Sequence, residues 1–545
     1  MLDNLKFESA ISLDYTLANY SQYYNPNYGD GVSRKGSASE SDRKIFNYVW
    51  QNSLDYKFYL GELHKFNAKA LMEFQKNKIN LLSAGGEVLP PGLTSVGTAA
   101  ANFSANANYD DWTQLSYLGM LNYAYDDRYL LDLTLRREGS SRFSKDDRWG
   151  TFYAVGAAWN ITSEKFMNGV DFLDLLRLRG SYGTTGNSGV SINTYQQMLS
   201  AGSYNNEAGL YISQIGGPLG WEKQTKFDLG VEFGLLNNRI SGSFAYFKSK
   251  SKDLLYSMPL SMTTGFASQW VNLGDLENSG FEAELNFDII KSKEFNWSIG
   301  GNLGTVKNKV TRMPVVDGKP LEVIGSYNAI VEGKAIRTWY LAEYAGVNPD
   351  NGLAQWYMAD GSKTTNYNAA EKRYQNSSPL PKVTGGVNTH LDYKGFYLDA
   401  LFSFATGYKV YDSWASYTNA VNSRSLNTYN GSVELMDRWQ KPGDITDVPK
   451  LTTGGGGTYT SPSTRFLYDG DHVRLRQLTV GYDFNKNAVK ALKLDGVNLS
   501  VSALNPFTWV KDGRLKADPE VDAEGYIEMT TPAIKSIVFS LNVKF

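Results

Sequence analysis

Regular alternation of apolar and polar residues is the feature that most constrains the fold of this chain. Within Thr225–Leu236, Gly280–Ile289 and Lys535–Phe545 every second residue is apolar, and the residues between them are mostly acidic, amide, hydroxyl or glycine residues. Successive side chains of an extended strand point to opposite faces, so the pattern predicts strands with one apolar and one polar face. A helix would spread the same apolar residues around its whole circumference.

The connections between these segments alternate in length. Short ones are turn-forming pairs such as Asp126-Asp127, Asn237-Asn238 and Lys394-Gly395, whose residue types tolerate the positive φ of tight turns. Long ones are rich in Gly, Ser, Thr, Asn and Tyr, and comprise Lys76–Leu115, Thr185–Gln224, Ser251–Ser279, Asn308–Pro381, Gly407–His472 and Pro506–Lys535. This alternation is typical of outer-membrane barrels, which have short periplasmic turns and long extracellular loops.

The sequence therefore predicts an all-β protein, a transmembrane antiparallel up-and-down β-barrel. About sixteen strands are visible, most of them near the ~9–11 residues that cross a bilayer when tilted. Because lipid cannot satisfy backbone polar groups, such a sheet must close on itself. Tyr and Trp at segment ends fit interfacial aromatic girdles, namely Tyr125, Tyr129, Trp159 and Trp297.

Composition excludes several other classes of protein. A hydrophobic fraction of 42% excludes wholesale disorder, and no stretch approaches the ~18 apolar residues of a membrane helix. Lys and Arg total 54 against 56 Asp and Glu, so the chain has no basic footprint for nucleic acid. The absence of cysteine excludes disulfide scaffolds, thiolate zinc sites and cysteine nucleophiles.

Residues capable of catalysis are too scattered to predict an enzyme. The three histidines, His64, His390 and His472, share no motif and are interpreted as structural residues. Asp469-Gly470-Asp471 lacks the spaced ligands of a calcium loop, and Gly454–Gly457 lacks the Lys-Ser/Thr of a phosphate loop. The sequence therefore predicts no catalytic residue, no metal site and no cofactor.

Aromatic residues in the two longest loops are the candidate ligand-binding residues. Exposed aromatic faces stack on sugar rings, and long loops carry recognition. The candidates are Trp339, Tyr340, Trp356, Tyr357, Trp414 and Tyr417. They predict a platform for a glycan or a peptide at the outer mouth of the barrel. The alternative is that these rings pack the loops together or belong to the upper girdle.

Several blocks of sequence stand out along the chain: Arg137–Phe143 with Trp149-Gly150 and Ala158–Ile161, Leu176–Gly183 with Gly186-Asn187, Leu219–Thr225, Asn272–Gly274 with Asn278–Glu282, Asp469–Arg476, Asn505–Phe507 and Asp518–Glu520. In their residues and their order these blocks resemble the SusC/RagA group of TonB-dependent outer-membrane transporters. The resemblance covers most of Arg137–Phe545. It implies a 22-stranded plugged barrel in the outer membrane, in contact with its lipid.

The resemblance also implies a function and partners. Members of the group import oligosaccharides, or sometimes peptides, across the outer membrane, and a SusD-like surface lipoprotein acts as the lid. The TonB–ExbB–ExbD complex supplies the energy by acting on a plug that precedes the barrel. No covalent chemistry and no nucleic-acid partner are implied.

The start of the sequence carries no signal-peptide pattern, and no plug or TonB box precedes the first strand segments. We therefore expect residues 1–545 to be the C-terminal portion of such a barrel, with the signal peptide, carboxypeptidase-regulatory-like domain, TonB box, plug and first barrel strands outside it. One alternative is a passive sixteen-stranded porin. A second is a soluble β-rich glycan-active enzyme, which would need a pair of catalytic carboxylates.

Overall fold

The computed structural model describes residues 4–205, 207–422, 426–453, 460–484, 489–490, 493–529 and 531–545. The glycine run at residues 454–457 lies outside them. The chain forms two compact units. Unit 1 comprises Met1–Trp159, Ser181–Lys226 and Ser251–Leu273, and unit 2 comprises Asn160–Gly180, Phe227–Lys250 and Gly274–Phe545.

Unit 1 is built on six consecutive antiparallel strands. They are β1 (Leu5–Tyr24), β2 (Ser37–Leu60), β3 (His64–Glu87), β4 (Ala101–Tyr125), β5 (Tyr129–Ser140) and β6 (Trp149–Asn160). Each strand pairs with the next, and β1 pairs with β2 along its whole length, from Leu5 opposite Tyr56 to Tyr24 opposite Ser37. Unit 1 also carries two small hairpins in its loops, β8–β9 (Met198–Tyr204 and Glu207–Gln214) and β12–β13 (Leu255–Pro259 and Ser268–Asn272).

Three further strands have residues in both units. They are β7 (Leu173–Asn187), β10 (Glu222–Leu235) and β11 (Ile240–Lys252). Each shows the two-residue alternation of a sheet with two different faces.

Unit 2 continues the same architecture with strands of 6 to 17 residues. They are β14 (Asp275–Lys291), β15 (Phe295–Thr305), β16 (Lys307–Arg312), β26 (Val383–Tyr393), β27 (Phe396–Thr406), β30 (His472–Phe484), β31 (Gly496–Val510) and β33 (Ser536–Lys544). β15 pairs with β14 and β26, and β27, β30, β31 and β33 follow as antiparallel neighbours. Among the described residues, seventeen strands are of this main-sheet type, close to the sixteen predicted.

The long loops of unit 2 contain short strands of their own. They are β17 (Val315–Val316), β18 (Lys319–Pro320), β19 (Val323–Ile324), β20 (Asn328–Ile330), β21 (Thr338–Ala342), β22 (Tyr344–Val347), β23 (Ala354–Tyr357), β24 (Lys363–Thr364), β25 (Lys372–Tyr374), β28 (Lys409–Asp412), β29 (Leu467–Asp469) and β32 (Tyr526–Ile527). One short α-helix, α1 (Ala415–Thr418), lies among them.

Several turns among the described residues are 3-10 helices. They are Gly29–Arg34, Val96–Thr98, Ile161–Ser163, Lys165–Met167, Met262–Thr264, Tyr367–Ala369, Val433–Asp437 and Thr464–Phe466. In the part of the chain that the structure describes, no helix has the length and apolar character needed to span a membrane.

The apolar face of the strands is open to the surroundings. In β33 the alternate residues Ile537, Phe539 and Leu541 are all exposed, as is Phe281 in β14. Water does not favour a continuous apolar surface of this kind, whereas the hydrocarbon core of a membrane does. The alternation read from the sequence therefore corresponds to a lipid-facing side of antiparallel strands.

The tight turns confirm the turn residues chosen from the sequence. Asp126 and Asp127 have φ of 51° and 53°, and Asn237 and Asn238 have φ of 59° and 56°. Asp and Asn tolerate a positive φ better than most residues, as these short turns between strands require. Three aromatic residues follow one another beside the first of these turns, with ring centroids of Tyr125 and Tyr129 6.2 Å apart and those of Tyr129 and Trp159 6.3 Å apart.

One long connection differs from the sequence prediction. Alternation predicts a loop over Lys76–Leu115, but β3 continues to Glu87 and β4 begins at Ala101. Most residues of these extensions are polar or small, and they need no alternation to remain paired, because the ladder hydrogen bonds and cross-strand side-chain pairs hold in water as well. A hydrophobicity pattern therefore predicts where a strand crosses the membrane better than where it ends.

Candidate functional site

The long loops of unit 2 fold around a hydrophobic cluster of their own, here called loop core A. Its buried members come from β21, β28, α1, β29, β32 and the segments beside them: Trp339, Leu341, Tyr408, Val410, Tyr411, Ala415, Phe466, Leu467, Tyr468, Leu515 and Ile527. β28 pairs antiparallel with β29 and parallel with β32, which brings three distant loop segments together. The loops therefore form a packed layer and not a set of separate excursions.

A second cluster, loop core B, lies in the same loops. It consists of Ala342, Ala354, Trp356, Val421 and Leu435. The Trp356 ring meets the rings of Tyr344 and Tyr367 edge-on, with centroids 6.2 and 5.4 Å away. Edge-to-face contacts at such distances stabilise aromatic pairs beyond their buried area.

Two of the six candidate ligand-binding residues are at the centres of these loop cores. Trp339 and Trp356 are 0% and 1% exposed, so their ring faces contact protein. The Trp339 indole N–H donates to the carbonyl of Lys409 at 3.2 Å. These two tryptophans pack the loops together, as the alternative interpretation of the sequence has it.

The other four candidates lie nearer the surface. Tyr340 packs on Tyr374 with ring centroids 4.8 Å apart, and Tyr357 is half-buried. Trp414 and Tyr417 are brought together, with centroids 4.8 Å apart. Tyr429, which the sequence did not single out, completes their aromatic cluster at 5.7 Å from Trp414 and 5.2 Å from Tyr417. A role of the six residues in ligand binding stays a prediction.

His472, at the start of β30, is a buried histidine with partners on both ring nitrogens. Nδ1 lies 3.1 Å from the Tyr408 hydroxyl and 3.0 Å from the Gly470 carbonyl, and Nε2 lies 3.4 Å from a carboxylate oxygen of Glu520. The Tyr408 hydroxyl donates its own proton to the carbonyl of Pro519 at 3.0 Å, so it can only accept from His472. Each ring nitrogen of His472 therefore faces at least one hydrogen-bond acceptor.

Two arginines of the same strand complete this cluster, here called the loop clamp. Arg474 is fully buried and pairs with Asp518 and, at 3.2 Å, with Glu520. Arg476 donates through Nη1 to Glu520 at 2.9 Å and through Nε to the Ser403 hydroxyl at 2.7 Å. The hydrogen bond from His472, followed by those from Arg476 and the charge of Arg474, lowers the pKa of Glu520 to about 2.

Sequence reasoning interprets His472 as a structural residue and does not predict its association with the two arginines. A signal for their meeting is nevertheless present, because Asp469–Arg476 and Asp518–Glu520 both belong to the blocks that resemble the SusC/RagA group. The sequence does not indicate that one block pairs with the other. In the structure, Arg474 of β30 pairs with Asp518 and Glu520, which lie in the loop between β31 and β33.

Two cavities adjoin the loop clamp. The larger, of about 580 Å³, is lined by strand residues that include Arg179, Glu282, Glu284 and Asn302. The other, of about 490 Å³, is lined by Leu380 and neighbouring loop residues, and His472, Arg476 and Glu520 contribute to both. Their charged and amide groups can hydrogen-bond to the hydroxyls of a sugar or the backbone of a peptide. Among the described residues, no group of three or more His, Cys, Asp or Glu side chains could hold a metal ion.

The family-like blocks in unit 1 meet in a third buried cluster. It consists of Phe143, Phe152, Val190, Leu219 and Trp221. Arg142 lies beside it, with its guanidinium 4.3 Å from the ring centroid of Trp112, and donates to the carbonyl of Ser188 at 3.2 Å. Arg137–Phe143 and Leu219–Thr225 are thus blocks whose residues hold loops against the ends of strands.

Known proteins with similar sequence or structure belong to one class. The family model for the TonB dependent receptor-like beta-barrel matches residues 2–397. TonB-dependent receptor P26 of Formosa agariphila is 29% identical over 542 residues, which cover 91% of this chain and 53% of that protein. TonB-dependent receptor SusC of Bacteroides thetaiotaomicron is 30% identical over 466 residues, which cover 79% of this chain and 44% of SusC. The solved structure of the RagAB peptide transporter matches with a TM-score of 0.87 and 26% identity, over all of this chain and 60% of that one.

These matches and the antiparallel strands define an outer-membrane β-barrel of the TonB-dependent receptor class. The chain belongs to the TonB-dependent receptor-like β-barrel family, within which it is of the SusC/RagA type. The resemblance recognised in the sequence, the all-β fold and the outer-membrane location are thereby confirmed. The chain spans about half the length of the curated relatives it matches.

Proposed function

We propose that the protein containing this chain imports oligosaccharides or peptides across the outer membrane, energised through TonB and assisted by a SusD-like surface lipoprotein. The observation that carries the proposal is the similarity to SusC and to the RagAB peptide transporter, which extends over 79% and 100% of this chain. The family is one of receptors and transporters, and we propose that the chain performs no covalent chemistry.

The loop layer supports this proposal. A passive pore needs loops that leave its mouth open, whereas a transporter that works with a lid needs a rigid surface for the lid to dock on. Loop cores A and B supply such rigidity, because their central indoles are fully buried. The loop clamp fixes a further loop to β30 through buried ion pairs, which are costly to break singly.

The cavities beside the loop clamp support the proposed substrate classes. Their linings combine guanidinium, carboxylate and amide groups in spaces of about 580 and 490 Å³. Binding sites of this size typically hold ligands of a few residues through a small number of placed polar groups. Oligosaccharides and peptides both offer the hydroxyl or amide partners that these groups require.

Uptake by the native bacterium tests the proposal. We expect deletion of the gene to abolish growth on an oligosaccharide or peptide mixture as sole carbon source, and deletion of TonB or of a neighbouring SusD-like lipoprotein gene to have the same effect. Uptake that persists without TonB would instead identify a passive porin. The SusD-like lipoprotein should also co-purify with the barrel in detergent.

A further inference from the structure

A third cavity, here called the loop cavity, lies within the loops of unit 2. It has a volume of about 860 Å³, and the residues that matter for its chemistry are Tyr344, Asn419, Glu434, Asp447, Arg465 and Phe466. It is larger than either cavity at the loop clamp, and its lining contains none of the clamp residues. Sites that bind small ligands are typically ~300–1,000 Å³.

Arg465 places a guanidinium among aromatic rings in this lining. Its central carbon lies 4.9 Å from the ring centroid of Phe466 and 5.8 Å from that of Tyr344. Burial lowers the pKa of Arg465, but an arginine stays charged under physiological conditions. A positive charge in a mostly desolvated, aromatic-walled space binds a carboxylate more strongly than one in open water.

Negative charge lines the same cavity. The carboxylates of Glu434 and Asp447 are close enough to Arg465 to interact electrostatically with it. Across the whole lining three basic side chains stand with three acidic ones, which are Arg465, Arg514 and Lys516 with Glu434, Asp437 and Asp447. The cavity therefore offers both signs of charge at little net charge.

Asn419 adds an acceptor without a partner. Its amide nitrogen donates to Glu434 at 2.9 Å, and because a carboxylate can only accept, this bond fixes the orientation of the amide. The amide oxygen is buried, on a residue only 8% exposed, and no described group donates to it. Buried acceptors are nearly always satisfied, so this oxygen indicates a donor that arrives with a ligand.

We propose that the loop cavity binds a short peptide through its two charged ends. The peptide carboxylate pairs with Arg465, its ammonium group pairs with Glu434 and Asp447, and a backbone N–H donates to the Asn419 oxygen. Tyr344 and Phe466 provide apolar surface for the peptide side chains. A neutral oligosaccharide could use the rings and the amide but offers no charged group to Arg465, Glu434 or Asp447. The proposal rests on the proposed function, of which it selects one substrate class.

Direct binding to the unaltered chain tests this inference. The probes are the tripeptide Gly-Tyr-Gly with free ends, the same peptide acetylated at its N-terminus, the same peptide amidated at its C-terminus, and a neutral glucose trisaccharide. Calorimetry on the chain in detergent should give binding of the free tripeptide, roughly tenfold or weaker binding when either end is blocked, and no competition by the trisaccharide. Equal binding of the blocked peptides, or binding of the trisaccharide alone, would overturn the inference.

Substitutions locate the site. Arg465→Gln should abolish the preference for a free C-terminus, and Glu434→Gln should reduce the preference for a free N-terminus. Lys319→Gln and Glu62→Gln are matched controls, since they remove the same charges at exposed positions outside the cavity. If a cavity variant fails to fold, the blocked peptides still decide the question on the unaltered chain. Unchanged preferences in folded variants would place the peptide elsewhere and overturn the assignment.

Binding and import can fail separately. Calorimetry requires neither TonB nor an energised membrane, whereas the uptake experiment requires both. A tripeptide that binds but is not imported contradicts the proposed import of peptides and leaves the site intact. Import of tripeptides by cells carrying Arg465→Gln at the normal rate would contradict the site and leave the proposed function intact.

Discussion

The two units of this chain differ in the structure of the segments that lie outside the membrane-spanning parts of their strands. In unit 1 the strands themselves continue, and β1 to β4 are 20 to 25 residues long. In unit 2 the strands β26, β27 and β33 have 11, 11 and 9 residues, and the chain between strands folds into loop cores A and B. Outside the membrane-spanning segments, a barrel of this class can therefore either continue its paired strands or fold its loops around small hydrophobic cores.

The difference implies different distributions of stability. A ladder in water is held by backbone hydrogen bonds and by cross-strand pairs worth roughly 0.2–1 kcal/mol each. A loop core depends on a few large buried side chains, each worth about 1.5–3 kcal/mol by area alone. Unit 1 should therefore tolerate single substitutions in its extensions, and unit 2 should be vulnerable at particular residues.

The largest contrast should appear at buried and exposed aromatic residues. Trp339→Ala removes the centre of loop core A and should cost about 3–5 kcal/mol of unfolding free energy. Tyr109→Ala, in the extension of β4, removes an exposed ring and should cost less than about 1 kcal/mol. Urea unfolding in detergent micelles, followed by near-ultraviolet circular dichroism, measures both. Equal costs would contradict the proposed division of stability.

The next largest difference in unfolding free energy should appear when a buried ion pair of unit 2 and an exposed ion pair of unit 1 are broken. Arg474→Gln leaves Asp518 without its ion-pair partner, removes one of the two arginines that pair with Glu520, and should cost about 3 kcal/mol. Lys65→Gln breaks the exposed pair with Asp127 in unit 1 and should leave the unfolding curve unchanged. The loop between β31 and β33 should also become sensitive to protease in the first variant alone. Protection of that loop in Arg474→Gln would argue against the clamp.

Two turn glycines give a smaller contrast. Gly395 has a φ of 93°, and a Cβ placed there would lie 2.6 Å from the carbonyl oxygen of Asp483. Gly61 in unit 1 has a φ of 65°, and a Cβ there would meet no atom within 4 Å. Gly395→Ala should therefore cost about 2 kcal/mol and Gly61→Ala about 1 kcal/mol, measured by the same urea titration. A reversed order would mean that the neighbouring strand end moves aside.

The loop clamp should also respond to acid. The pKa of Glu520 is about 2 in the folded protein, against an ordinary value of 4.5, so its contribution to stability is complete above pH 4.5 and is lost as the pH falls towards 2. The rate at which an acid-stable protease cleaves the loop between β31 and β33 should rise as the pH falls over that interval. Cleavage of the unit 1 loop at residues 141–148 serves as the reference for the activity of the protease itself. Glu520→Gln should be cleaved at a rate that no longer changes with pH there.

The repetitive part of the fold is well predicted by the sequence. Alternation locates the strands, and the residue types of Asp126-Asp127 and Asn237-Asn238 predict turns whose φ values are indeed positive. These are local properties, which neighbouring residues determine. The family-like blocks are local in the same sense, and they correctly indicate the SusC/RagA group.

The candidate site is harder to predict because it depends on contacts between distant residues. Nothing near Trp339 in the sequence indicates that it is buried by Tyr411 and Tyr526. The sequence around Arg465 likewise gives no sign that Glu434 and Asp447 are close enough to interact with its charge. Aromatic content draws attention to these loops, but which of their rings face inward is decided by packing between residues far apart in the chain.

The loop clamp also determines how the outer loops can move. Tyr408 and His472, at the two ends of the segment between β27 and β30, are hydrogen-bonded to Pro519 and Glu520 of the segment between β31 and β33. Neither segment can shift at this point without taking the other along. Any displacement imposed by a lid on one of them would be transmitted mechanically to both, and so to the end of β30. The two segments should therefore move as one unit that is joined at the loop clamp.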